Sequence, residues 1–163
     1  MFRVMISAIL LSSTLFLVGC GAKKANVENP WVDCGKNIEQ ASEVAGFYFP
    51  LDLSEYNVRA TRGMIEFTYQ LDDKTVVIRK SKDNEGNKGD VSGDYTKYPV
   101  NKQIRLSNGV AVNVRGEEDL FYVMHLESVS GYYSASSKDG LKYNDLDEIY
   151  SEISLAEAPK VVD

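Results

Sequence analysis

The sequence predicts an α+β domain: a curved antiparallel β-sheet of about seven or eight strands with an N-terminal and a C-terminal helix packed on it. Three observations carry this expectation. Between residues 47 and 137, apolar side chains recur with a period of two in short runs separated by turns rich in Gly, Asn and Asp. Residues 37–45 and 144–153, on either side, have a period near 3.6 instead. The whole chain has 163 residues, 44% hydrophobic and 26% charged, which suits one domain with a modest core.

The first helix is expected over Asn37 to Ala45. Asn37 can cap the open amides, Gln40 completes a capping-box pattern, and Gly46 is placed as a left-handed terminator. Ile38, Ala41, Val44 and Ala45 share one face, a stripe too small to stand without a sheet to cover. A first strand is then expected over Phe47 to Leu51, held to an edge or an end by Pro50. Asn57 to Arg62 is a weaker strand. In Met64 to Leu71, Ile65, Phe67, Tyr69 and Leu71 alternate with polar residues, and Asp72-Asp73 turns the chain into Thr75 to Lys80. Residues 81–99 break the rhythm with Gly86, Gly89 and Gly93 and mark a long surface loop.

Ile104 and Leu106 then lead through Asn108-Gly109 into Val110, Val112 and Val114, with both turn residues able to take positive φ. Leu120 to Ser128 is apolar enough to be buried on both faces, and Ser130-Gly131 returns the chain through Tyr132 to Ser137. A second helix is expected over Asn144 to Ile153, capped by Asn144, with Asp145, Asp147 and Glu148 at its positive end and Leu146, Ile149, Tyr150 and Ile153 facing inward. Residues 154–163 read as a frayed tail.

Charge narrows the function. A net charge of −6 lacks the basic stripe that nucleic acid or an anionic polymer demands. One His among 163 residues leaves little for a His-based metal site or proton relay.

Residues 1–20 address the chain. Arg3 precedes an uncharged, mostly apolar run from Val4 to Val18, too short for a comfortable membrane span and built like a secretory signal peptide. Leu17-Val18-Gly19-Cys20 resembles the lipobox of bacterial lipoproteins. That resemblance implies cleavage after Gly19, acylation (palmitate among the acyl groups) of Cys20, and display on the extracytoplasmic face of the cell membrane. The mature chain would have 163 less 19 residues, or 144, with 17 basic against 24 acidic side chains, a charge of −7. Cys20 to Asn29 would be lipid anchor and tether, with Lys23 and Lys24 near the headgroups. Residues 30–153 would form the single domain. Cys34 is then left without a disulfide partner, beside Asp33, and reads as a buried structural thiol.

Asn29-Pro30-Trp31, Ala45-Gly46-Phe47 and Val91-Ser92-Gly93-Asp94-Tyr95 resemble a group of Gram-positive, largely clostridial lipoproteins of unknown function. Similar domains form the extracellular part of some membrane-anchored regulatory and sporulation proteins. The resemblance covers residues 29 to 153, implies a non-enzymatic envelope protein, and brings no catalytic residues with it.

Gly89-Asp90-Val91-Ser92-Gly93 lacks nucleophile-elbow spacing, and His125, the sole base for a Ser-His pair, sits in an apolar strand as a structural residue would. Asp83, Glu85, Asn87, Asp90 and Asp94 gather oxygen ligands of the kind calcium takes. However, Lys88 occupies the glycine position of a calcium loop and no bidentate Glu closes it, so a solvated loop is the simpler reading. No cofactor is expected. Tyr supplies rigid area plus a hydroxyl, either to fill the core or to bind a partner. Tyr95 and Tyr98 in the loop and Tyr132 at a strand start are the candidates for binding. Trp31 reads as a lock between tether and domain. The expected role is a non-catalytic binding or accessory domain for an envelope protein, peptide or glycan. A sensory domain acting on a membrane signalling partner is the alternative, and an envelope hydrolase the third.

Overall fold

The structure, a computed structural model, describes residues 29–49, 56–82 and 89–157. The signal segment, Cys20, the tether lysines, Asp83, Glu85, Asn87, Pro50 and Leu51 lie outside the described residues.

Among the described residues eight antiparallel strands form one open sheet. They are β1 (Val32–Gly35), β2 (Val58–Thr61), β3 (Met64–Leu71), β4 (Lys74–Ser81), β5 (Val100–Arg105), β6 (Ala111–Gly116), β7 (Phe121–Ser128) and β8 (Gly131–Leu141). Helix α1 (Ile38–Ala45) follows β1, and α2 (Tyr143–Glu157) follows β8. The order across the sheet is β1-β2-β3-β4-β8-β7-β6-β5. Two four-stranded meanders therefore meet at β4 and β8, and the chain leaving β4 must reach the far edge before it can start β5.

One face of the sheet carries the core. Ile65, Phe67, Val76, Ile78, Ala135, Met124, Leu126, Val112 and Val114 are buried there, roofed by Ala41 and Ala45 of α1 and by Leu146, Ile149 and Ile153 of α2. These side chains alternate with polar ones along each strand, so the period of two in the sequence is the signature of a one-sided sheet.

Several local expectations need correction. Val32–Gly35 forms an edge strand that the sequence did not suggest, and it precedes the first helix. Residues 47–49 form no strand. Phe49 instead drops into the core, 1% exposed, with its ring tilted against Phe67 at 5.9 Å and Tyr133 at 6.3 Å, so burial of one large ring outweighs ladder pairing. The Asn108-Gly109 turn has only Gly109 at positive φ (85°). Its bonds run from Gly109 N to Leu106 O and from Leu106 N to Val110 O, which is a three-residue loop with a glycine bulge, not a two-residue turn. Strand β7 is buried on both faces only in part, since Tyr122 and His125 are half-buried.

Helix α1 matches expectation, with Asn37 Oδ1 accepting from Gln40 N at 3.0 Å and Gly46 at φ 75° closing its end. Asn144, by contrast, does not cap α2. Asp145 Oδ2 reaches back to Lys142 N at 2.7 Å, placing a carboxylate at the positive end of the helix and leaving Asn144 inside the first turn. The helix also runs on to Glu157, so residues 154–157 are not tail. Cys34 is buried and free, and burial first, then the neighbouring Asp33 charge, raises its pKa.

Candidate functional site

The face opposite the helices carries two rows of side chains in register. Arg59, Glu66, Arg79, Ser134, His125 and Asn113 stand opposite one another strand by strand, from β2 to β6. Beside them run Thr68, Val77, Ser136, Val123 and Arg115. In the sequence these are the solvent-side positions of each strand. The topology makes them a floor. Eighteen residues connect Ser81 to Val100, and with strands about 4.8 Å apart they must cover roughly 19 Å across β8, β7 and β6. Residues 89–98 make this crossing over the polar face as a strap.

Two arginines fasten it. Glu66, 3% exposed, receives Arg59 Nε and Arg79 Nε at 2.8 Å each, which orients the Arg79 guanidinium. Arg79 Nη1 then donates to the carbonyls of Val91, at 3.3 Å, and Ser92. Gly93 takes φ 72°, and a Cβ there would collide with Arg79 Nη1, so this position needs glycine on two counts. Arg115, on β6, pairs with Asp90 at 2.6 Å and donates to Asp94 O at 2.6 Å and Thr96 O at 3.3 Å. Ser134 Oγ completes the dock, donating to Asp90 Oδ1 at 3.2 Å and accepting from Val91 N at 2.9 Å. Trp31 lies by the two arginines that Glu66 holds, its ring 5.6 Å from Arg59 and 5.2 Å from Arg79.

The strap braces itself with short side-chain turns. Asp90 accepts from Ser92 N at 2.8 Å, Ser92 Oγ from Asp94 N at 3.1 Å, and Asp94 from Thr96 N at 2.8 Å. Tyr98 donates its hydroxyl to Asp94 Oδ2 at 2.7 Å and stacks on Tyr122 with ring centroids 5.2 Å apart and planes 13° from parallel. Burial alone would raise the Asp94 pKa. The hydrogen bonds from Thr96 and Tyr98 and the Arg115 charge outweigh it and hold the carboxyl below its ordinary value. Tyr98 moves the opposite way, raised by burial and by the hydrogen bond to Asp94.

Between the strap and the floor opens a cleft of about 940 Å³. Val77 of β4 and Ser136 of β8 line it together with Asp94, Tyr95 and Tyr98 of the strap and with Tyr122, Lys138 and Asp139. Tyr95 is 93% exposed at the rim.

Tyr95 and Tyr98 are thus brought together, and Tyr132 is not with them. Tyr132 is buried, with its hydroxyl 3.4 Å from Glu127, and it lines no part of this cleft. Asp90 and Asp94 are the described members of the calcium set, and their carboxylates face Arg115 and strap donors, an unfavourable setting for a cation. Among the described residues no three His, Cys, Asp or Glu cluster as metal ligands would. His125 lies beside Ser134, but that hydroxyl is 1% exposed in its residue and donates to Asp90 instead. Burial lowers the His125 pKa; Asp90 opposes this and Arg115 adds to it. Sequence reasoning missed Tyr122, Ser136, Lys138 and above all Arg79 and Arg115. The one available signal was small hydroxylated residues, Ser134 and Ser136, on strand positions that would otherwise face water.

No family model, curated protein or solved structure matches the chain.

Proposed function

We propose that this chain is a lipoprotein held by acyl groups on Cys20 at the extracytoplasmic face of a membrane. Its domain is a non-catalytic binding module for another envelope component, and the cleft beneath the strap is its binding site. The observation that carries the reading is a wide cleft with an exposed Tyr at its rim and a strap pinned by two half-buried arginines. Such preorganisation lowers the ordering cost of binding. The Ser134 hydroxyl supports a non-catalytic role, since its proton points at a carboxylate and the strap covers it. The lipobox-like Leu17 to Cys20 and the apolar run before it support the anchor. One acyl chain holds a protein only marginally, whereas two or three hold it firmly. Nine residues, Gly21 to Asn29, then allow the domain to stand up to roughly 30 Å from the surface.

A clickable fatty acid should label the wild type and not Cys20→Ser; labelling of both contradicts the anchor. Cross-linking of intact cells should yield adducts that decline when Tyr95 and Tyr122 are both replaced by Ala. Equal recovery contradicts the site.

A sensory role is the second reading, favoured by Arg79. It touches both Trp31 at the tether and the Ser92 carbonyl of the strap, linking the membrane side of the domain to the cleft wall. Under that reading, Trp31→Ala speeds hydrogen exchange in residues 91–96.

A further inference from the structure

We infer that the cleft takes an uncharged oligosaccharide. This rests on the proposal that the cleft is the binding site, and it names the ligand class.

The floor argues against a peptide first. Val77 and Ser136 belong to β4 and β8, inner strands already paired on both sides, with β3 next to β4 and β7 next to β8. Their main-chain donors and acceptors are committed to the ladder, so a peptide cannot add here as an extra strand, a recurring way for a sheet to bind one. Apolar anchoring fails as well. Among the described residues of the lining Val77 is the one aliphatic side chain, so they offer no pocket to a hydrophobic peptide anchor or an acyl chain. Charge argues against an anionic polymer. The three arginines described on this face are engaged, Arg59 by Glu66, Arg79 by Glu66 and strap carbonyls, Arg115 by Asp90 and strap carbonyls. Lys138 and Asp139 sit side by side in the lining with opposite signs.

What remains is the chemistry a sugar offers. A pyranose has an apolar C–H face and a rim of hydroxyls, each both donor and acceptor. Tyr95 and Tyr122 offer aromatic surface to the first, and Thr75 and Ser136 offer hydroxyls to the second. At about 940 Å³ the cleft is near the top of the range for small-ligand pockets, room for several sugar units.

The test uses the full chain, solubilised in detergent. Triacetylchitotriose, cellotriose and maltotriose are the saccharide probes, and a pool of random heptapeptides is the comparison. Hydrogen-exchange mass spectrometry reads residues 93–98 and 136–139, and calorimetry reads affinity. At least one saccharide should slow exchange in both segments, and Tyr95→Ala should weaken its binding roughly five- to tenfold. Tyr95 makes no packing contact that holds the fold, so this variant stays folded; Lys138→Met, also exposed, serves as a second. Protection by peptides and by no saccharide overturns the carbohydrate assignment while leaving the cleft as a binding site. Protection by neither class overturns both. Saccharide binding unchanged in Tyr95→Ala and Lys138→Met overturns the placement of the sugar in this cleft.

Discussion

Replacing Arg115 with Met should release the strap, and the size of the effect follows from what Arg115 holds. Its pair with Asp90 is 2.6 Å long, with side chains only 15% and 23% exposed, so water screens it little. Removing one partner of such a pair costs about 3–5 kcal/mol when the other stays buried. The carbonyls of Asp94 and Thr96 lose a donor as well, at about 1 kcal/mol each if they too stay dry. The strap, however, can lift into water and rehydrate all three groups, so the loss is capped by the free energy of that local opening. The expected loss is therefore about 2–4 kcal/mol, below the sum of the parts. Urea unfolding measures it, with a slightly smaller m-value because the native state already exposes the strap and the floor. Hydrogen exchange locates it: the amides of Val91 and Thr96, bonded to Ser134 Oγ and Asp94 Oδ1, lose protection while Val76 and Ile78 in β4 keep theirs. A loss under about 0.5 kcal/mol, the range of an ordinary surface change, with Val91 and Thr96 still protected, would refute the reasoning.

Three further outcomes are expected. Gly93→Ala imposes a left-handed conformation on a residue with a Cβ and displaces Arg79, so it should cost about 1–2 kcal/mol or more by urea unfolding; a neutral result contradicts the close approach. Acid should destabilise the fold in two stages. The His125 pKa is lowered, so below about pH 6.5 the unfolded chain takes up that proton first and stability falls; the Asp94 pKa is lowered too, so its contribution, present above about 3.9, fades as pH drops through the folded value. Melts at pH 7.5, 5.5 and 3.5 should show His125→Gln losing only the upper stage, and an unchanged upper stage would assign it elsewhere. At alkaline pH, Tyr69 is pushed up to about 12 by burial and by Glu148 and Glu152, its hydroxyl 3.3 Å from Glu148. Glu148→Gln should bring its ultraviolet titration back toward 10.

What the sequence disclosed and what it hid have separate physical causes. The β3–β4 hairpin, Met64–Leu71 into Lys74–Ser81, was legible because one face is buried and the other is not, so alternation and register carry the same information. Helix α1 was legible through its caps, which are local. Strand β1 was hidden, since four residues ending in Gly35 carry no period, and the strand exists only because β2 offers an edge. The cleft was hidden for a deeper reason. Glu66, Arg79 and Arg115 occupy positions that read as ordinary solvent-facing charges, and only the strand order, with β8 inserted beside β4, sends residues 89–98 across them. Tyr95 and Tyr98, named from the sequence, lie on that segment and line the cleft, whereas Tyr132, named with them, is buried.

Partner contact in the cell should occur at the cleft. A photo-cross-linking residue at position 95, on the cleft rim, can be compared with one at position 129, equally exposed in the β7–β8 turn. In intact cells displaying the acylated chain, adducts should form from position 95 and not from position 129. Adducts from 129 alone, or the same yield from both, would contradict a binding cleft beneath the strap.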